Sequence, residues 1–188
     1  REELAPHYET ASQMLGAADN PLETAPDRAL RALAERAGRL EHFRTTPVGV
    51  YFGQPGVSVP DPYHGGAGPE RTGCNFCGGC MVGCRPGAKN TLDKNYLYLA
   101  ERHGAVIYPE HEVVDVIPLE GGGYEVVTEH PGAWLRKRTR SFTTEQVVFA
   151  AGTLGTARLL HTLREAGRIP DVSPRLGHHV RSSAEKMV

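Results

Sequence analysis

The chain has 188 residues, 39% of them hydrophobic and 23% charged, with a formal net charge of -1 at pH 7. That much apolar material supports a packed core and excludes wholesale disorder. The near-neutral charge excludes a global basic field for nucleic acid or an anionic membrane. No run approaches the roughly 20 apolar residues that a transmembrane helix needs.

The first predicted element is a helix with Leu4, Tyr8, Ala11 and Leu15 on one stripe, ended by Gly16. A second begins at Thr24-Ala-Pro-Asp27, where Thr24 can cap, Pro26 suits the first turn and Asp27 complements the helix dipole. Its stripe is Leu30, Leu33, Ala34 and Ala37, and Gly38 closes it. Both stripes read as packing faces. From Thr46 to Arg85, Pro47, Pro55, Pro60, Pro62 and Pro69 alternate with glycines, so little regular structure is expected.

Order returns with a predicted helix over 92–103, capped by Asn90 or Thr91 and stopped by Gly104. A short strand follows at 105–108. Three more strands are predicted at 113–119, 124–129 and 134–142. Gly121-Gly122-Gly123 separates the first two and Pro131-Gly132 the last two, as in an antiparallel meander. Val147-Val148-Phe149-Ala150 has the continuous apolar character of a parallel strand covered on both faces. Gly152 and Gly155 make a turn into a helix over 156–167, with Leu159, Leu160 and Leu163 facing the core. A meander between two strands of a parallel sheet is how flavin-binding domains of the two-dinucleotide type are built.

Two motifs carry chemistry. Val147 to Leu160 reads as strand, glycine turn and helix N-terminus, a geometry that favours a negatively charged ligand close to the backbone. The G-x-G-x-x-G fingerprint is absent, so an ordinary tight connection is the competing reading. The second motif is Cys74-x2-Cys77-x2-Cys80-x3-Cys84, which holds every cysteine of the chain and has the spacing of a bacterial ferredoxin run. In ferredoxins the fourth cysteine serves a second cluster, and no further cysteine exists here to complete the first. An iron–sulfur site and a loop of thiols both stand at this point. The basic run containing Arg136, Arg138 and Arg140 reads as the solvated face of a strand. There is no H-E-x-x-H and no G-x-S-x-G, and no residue presents itself as catalytic acid, base or nucleophile.

The segment Gly83-Cys84-Arg-Pro-Gly-Ala-Lys-Asn-Thr-Leu-Asp-Lys-Asn-Tyr-Leu97, followed by Glu101-Arg-His-Gly-Ala-Val-Ile107, resembles the glucose–methanol–choline (GMC) oxidoreductases. Val113 with Val116, Phe149-Ala-Ala-Gly-Thr-Leu-Gly-Thr156, Leu159-Leu160, Leu176-Gly177 and Val180-Arg181 continue the likeness in order. Upstream, Thr46 to Gly53 and Val59 to Tyr63 are similar to the cholesterol-oxidase-like branch.

The resemblance implies an α/β fold: part of a two-dinucleotide-type FAD-binding domain over 86–188, and part of a helical and irregular substrate-binding region with the cysteine loop over 1–85. It implies flavin contacts through the backbone of Val113 and through Ala150, Ala151 and Gly152. It implies hydride transfer from a CH–OH group of an alcohol such as a sterol to FAD, with oxygen or another acceptor taking the electrons. Some FAD sugar dehydrogenases of the family hold an iron–sulfur cluster on clustered cysteines, which keeps that alternative open for Cys74, Cys77, Cys80 and Cys84. The family's fingerprint and its proton-accepting histidine lie outside the matched segments. Together with the start at Arg1, this gives the expectation of an internal piece that is inactive alone. Ser182-Ser183 departs from the Asn common in that branch.

Overall fold

In the computed structural model the described residues are 2–133 and 138–180. The chain divides into two compact units, Arg1–Ile107 and Tyr108–Val188.

In the first unit, α1 spans Ala5–Met14 and α2 spans Ala25–Arg36. Thr24 and Asp27 form the expected capping box, with the Thr24 N–H donating to Asp27 Oδ2 at 2.8 Å. The apolar stripes do not pack as expected. Neither helix buries a residue, and Tyr8, Leu30 and Leu33 are 70%, 57% and 62% exposed. The interior of this unit comes instead from loop residues. Two short antiparallel pairs organise them: β1 (Ala18–Asp19) with β2 (Pro47–Val48), and β3 (Ser58–Val59) with β4 (Arg71–Thr72). Val50, Ala88, Arg71, Asn90 and Asn95 are buried around them, with Gly16 and Gly73.

Arg71 is the centre of that interior. Its Nε donates to Asn90 Oδ1 at 2.7 Å, Nη1 to Pro69 O at 2.8 Å, and Nη2 to Lys94 O at 2.6 Å. Burial pulls its pKa below the usual guanidinium range, and the nearby Tyr63, Asp61 and Asp93 offset part of that shift. A buried charge is tolerated only when its donors are satisfied, and here backbone carbonyls satisfy most of them. Asn90 adds a second link, donating from Nδ2 to Gly16 O at 3.4 Å.

The helix expected over 92–103 is split. A 3-10 turn covers Leu92–Lys94 and α3 covers Tyr96–Arg102. Asn95, fully buried, breaks the run with φ -132° and ψ -96°, and its Oδ1 accepts from the Tyr96 N–H at 2.6 Å. The helix therefore restarts on a new cap. Residues 105–108, expected as a strand, carry no strand pairing. Val106 is 69% exposed, so the apolar run finds no sheet to join.

Among its described residues the second unit is a three-stranded antiparallel sheet with one helix. β5 (Glu112–Pro118) pairs with β6 (Tyr124–Glu129), which pairs with β7 (Thr139–Thr144). Gly122 and Gly123 take φ of 92° and 83° in the β5–β6 turn, a region open to glycine. The third strand was expected over 134–142. Its first part, 134–137 with Trp134 and Arg136, lies outside the described residues. Arg138 and Arg140 are exposed, as a solvated face requires. The strand expected at 147–150 does not form, and Val148 is 87% exposed. A parallel strand exists only by hydrogen bonding to neighbours, and no such neighbour stands among the described residues. α4 runs over Thr153–Glu165, starting earlier than the expected Thr156, and packs on β5. Leu163 of α4 and Val116 of β5 are each 1% exposed, and together form the apolar heart of this unit.

Candidate functional site

The flavin contacts expected from the sequence all fall in the second unit. Val113 lies on β5 opposite Thr128. The register shifts between Val113 and Asp115, so Val114 is an extra residue bulged out of the ladder. Bulges kink a strand and re-aim what precedes them, and here that residue is Val113, which stays 37% exposed.

Ala150, Ala151 and Gly152 are exposed and lead into α4. Gly152 is the N-cap, with φ 81° and ψ 163°. The left-handed φ excludes most side chains, and a Cβ built there has nothing within 4 Å. The turn therefore presents bare backbone to open space. No side chain caps the helix, so its first N–H groups remain free of side-chain acceptors. A cavity of about 460 Å³ opens there, lined by Phe149, Ala150, Gly152, Thr153, Thr156 and Ala157 among others. Small residues at the α4 N-terminus line it beside Leu160, Leu176 and Val180, and a helix N-terminus favours negative charge. Neither Ala151 nor Val113 lines that cavity.

The cysteine loop builds a second cavity, of about 520 Å³, in the first unit. Cys74, Cys77, Cys80 and Cys84 all line it, together with Phe52, Phe76 and Lys89. The Phe52 and Phe76 rings stack 5.9 Å apart. Phe76 has φ 58°, a conformation that costs a bulky residue energy and persists only where its surroundings hold it. The Phe76 N–H donates to Cys74 Sγ at 3.4 Å and the Lys89 N–H to Cys84 Sγ at 3.3 Å. Lys89 also donates from Nζ to Cys80 O at 3.0 Å. All four cysteines are free. Their sulfurs do not converge: among the described residues no group of three or more His, Cys, Asp or Glu is placed to hold a metal ion. The donor set as folded does not fit the iron–sulfur alternative.

Burial pushes the Cys84 thiol up, but the N–H groups of Lys89, Ala88 and Gly87 and the charge of Lys94 outweigh it. The thiol is held below its ordinary value.

A third constellation is not visible in spacing alone. Asp61 accepts four backbone N–H groups, from Tyr63 on Oδ1 and from His64, Gly66 and Gly68 on Oδ2, all within 3.0 Å. An Asp followed by Gly65, Gly66 and Gly68 is the signal that could have predicted this loop. Residues Arg181, Ser182 and Ser183 lie outside the described residues. Among the described residues no helix is long and apolar enough to cross a membrane.

Residues 68–180 match the family model described as GMC oxidoreductase. The chain is 50% identical over 193 residues to a protein named cholesterol oxidase from Mycobacterium tuberculosis, covering all of this chain and 33% of that protein. It is 42% identical over 197 residues to a cholesterol oxidase from Acinetobacter baumannii, covering all of this chain and 35% of the relative. The chain thus spans about a third of the length of these relatives.

Proposed function

The chain belongs to the GMC oxidoreductase family, and from that premise we propose that it forms part of an FAD-dependent oxidoreductase acting on CH–OH groups. FAD dependence is general to the family. The reading rests on one observation above the others: the Gly152 turn offers uncapped N–H groups and bare backbone to an open cavity. The matched span of 68–180 includes both that turn and Val113.

In this reading residues 86–188 contribute to the FAD-binding domain of a two-dinucleotide-type fold, and residues 1–85 to the substrate-binding region. Gly152 holds the cofactor by close approach, since a Cβ there would be strained and would fill the space. The free N–H groups at the start of α4 orient toward negative charge. Ala150 and Ala151 keep the approach clear by being small. Val113 presents its backbone beside the bulge. When bound, FAD supplies the two-electron acceptor for hydride leaving the alcohol carbon. No residue of this chain is assigned to take the hydroxyl proton.

Relatives named cholesterol oxidases favour a sterol as the alcohol and oxygen as the final acceptor. The test uses the full-length protein. Flavin absorbance should copurify with it, and a sterol should bleach that absorbance anaerobically. Gly152→Val should lower flavin content severalfold while the fold survives by circular dichroism. Wild-type flavin retention in Gly152→Val, or no bleaching by any sterol, would overturn the corresponding half of the reading.

A further inference from the structure

We propose that the cavity at Cys74–Cys84 is a thiol-modification site, in which Cys84 is a nucleophile oxidised by peroxide and Cys80 resolves it to a disulfide. It is independent of the flavin reading, because every residue it uses lies in the first unit.

The argument begins with the sulfurs. Four cysteines line one cavity, all free, yet they do not converge as metal ligands. A cluster of thiols with no chelating geometry is available for covalent chemistry. Within it Cys84 is distinguished by its surroundings. The 84–89 segment turns back on its own first residue: the Gly87 N–H donates to the Cys84 carbonyl at 3.1 Å and the Lys89 N–H to Cys84 Sγ at 3.3 Å. Gly87 takes φ 83°, which lets the turn close. Lys94 reinforces it, with Nζ donating to Gly87 O at 2.8 Å. A backbone N–H donating to sulfur, as that of Lys89 does here, with a cation nearby, stabilises thiolate over thiol. The lowered titration of Cys84 agrees with this geometry.

Lys89 connects Cys84 to Cys80. Its N–H touches the sulfur of the first, and its Nζ touches the carbonyl of the second. Cys80 is exposed and sits in the 3-10 turn Gly79–Met81, entered through Gly78 at φ 72°. Gly78 and Gly83, at φ 72° and 104°, flank Cys80 and give this part of the loop the backbone freedom to readjust.

The chemistry balances with hydrogen peroxide as the oxidant. The Cys84 thiolate attacks one peroxide oxygen, an S–O bond forms, the O–O bond breaks and hydroxide leaves. Sulfur is oxidised by two electrons to the sulfenic acid and peroxide is reduced. The Cys80 sulfur then attacks Cys84. An S–S bond forms, the S–O bond breaks, and water leaves with the thiol proton.

The test uses full-length protein purified anaerobically. Iodoacetamide at pH 7, read by peptide mass spectrometry, should modify Cys84 about threefold or more faster than the more exposed Cys77. One equivalent of hydrogen peroxide should yield a Cys80–Cys84 linked peptide. In Cys80→Ser the sulfenic acid at Cys84 should be trapped by dimedone, and in Cys84→Ser the other three thiols should stay reduced. Faster alkylation of Cys77 than of Cys84 would overturn the proposal. So would a disulfide between another pair, or no peroxide-dependent link. Stoichiometric iron and sulfide, with all four thiols blocked until chelation, would overturn it in favour of a cluster.

Discussion

Arg168 grips Asp115 across the second unit. Its Nη2 donates to Asp115 Oδ2 at 2.9 Å, and its Nε donates to the same oxygen at 3.2 Å. This fork joins the segment after α4 to the strand residue that ends the β5 bulge. Asp115 Oδ1 also accepts from the Val116 N–H at 2.9 Å. The carboxylate therefore fixes the bulge as well as the helix exit. Because both side chains are partly exposed, the pair is worth about 1 kcal/mol. Asp115→Ala should destabilise the protein by that order, and Arg168→Lys should recover little, since a lysine cannot fork. Thermal denaturation of the two variants checks this. Equal stability of Asp115→Ala and wild type would sink the assignment.

Asp61 makes the loop that follows it pH-sensitive. Burial raises its pKa, but the four N–H donors from Tyr63, Gly68, His64 and Gly66 overcome that and hold it below the ordinary 3.8. A carboxylate with a depressed folded pKa contributes stability that is present above the unfolded value. That stability is lost as pH falls through the folded value. Protection of the amides of residues 63–68 against exchange, relative to the unfolded chain at the same pH, should therefore hold from neutrality to near pH 4 and fall below it. Asp61→Asn, which no longer gains a charge on deprotonation, should flatten that dependence. An unchanged acid transition in the variant would refute the mechanism.

Gly73 has no room for a side chain. It is buried, and a Cβ there would overlap the carbonyl of Gln54. Gly73 is also bridged to Pro55 and accepts from the Gly56 N–H at 3.0 Å. The clash is with backbone, which cannot rotate away. Gly73→Ala should cost about 2 kcal/mol or more. At Gly38, where a Cβ meets nothing but φ is 66°, the same change should cost about 1 kcal/mol from strain alone. Chemical denaturation of the two variants should rank them in that order.

Asn95 caps α3 from a fully buried position. Its Oδ1 takes the Tyr96 N–H, while its Nδ2 has no partner. Asn95→Ala removes the cap acceptor and should cost about 1–2 kcal/mol. Asn95→Asp keeps the acceptor but buries a charge, and should be worse than Asn95→Ala. A more stable Asp variant would show that the buried side is wet.

Much of the local structure is legible in the sequence. The Thr24–Asp27 box, the β5–β6 turn at Gly121–Gly123 and the glycine entry into α4 all depend on neighbours a few residues away. Such signals are written in short windows of sequence. The failures share a different cause. Val147–Ala150 has the composition of a strand, but a strand needs another strand. The stripes of α1 and α2 have helical period, but a period does not say what a face will meet. The split at Asn95 depends on burial, which periodicity does not contain.

The candidate site divides the same way. The sequence by itself determined that a turn with Gly152 and Gly155 leads into a helix, that four cysteines crowd one loop, and that the matched segments follow one family order. Those are matters of residue type and spacing. Only the tertiary structure decided that the four sulfurs share a cavity without converging, and that Lys89 joins Cys80 to Cys84. It also decided that Arg71 meets Asn90 Oδ1 and the Lys94 carbonyl from a distant turn, beside the carbonyl of nearby Pro69. Each of these requires directions in space, because a sulfur, a guanidinium or a carbonyl acts only where the folded backbone aims it.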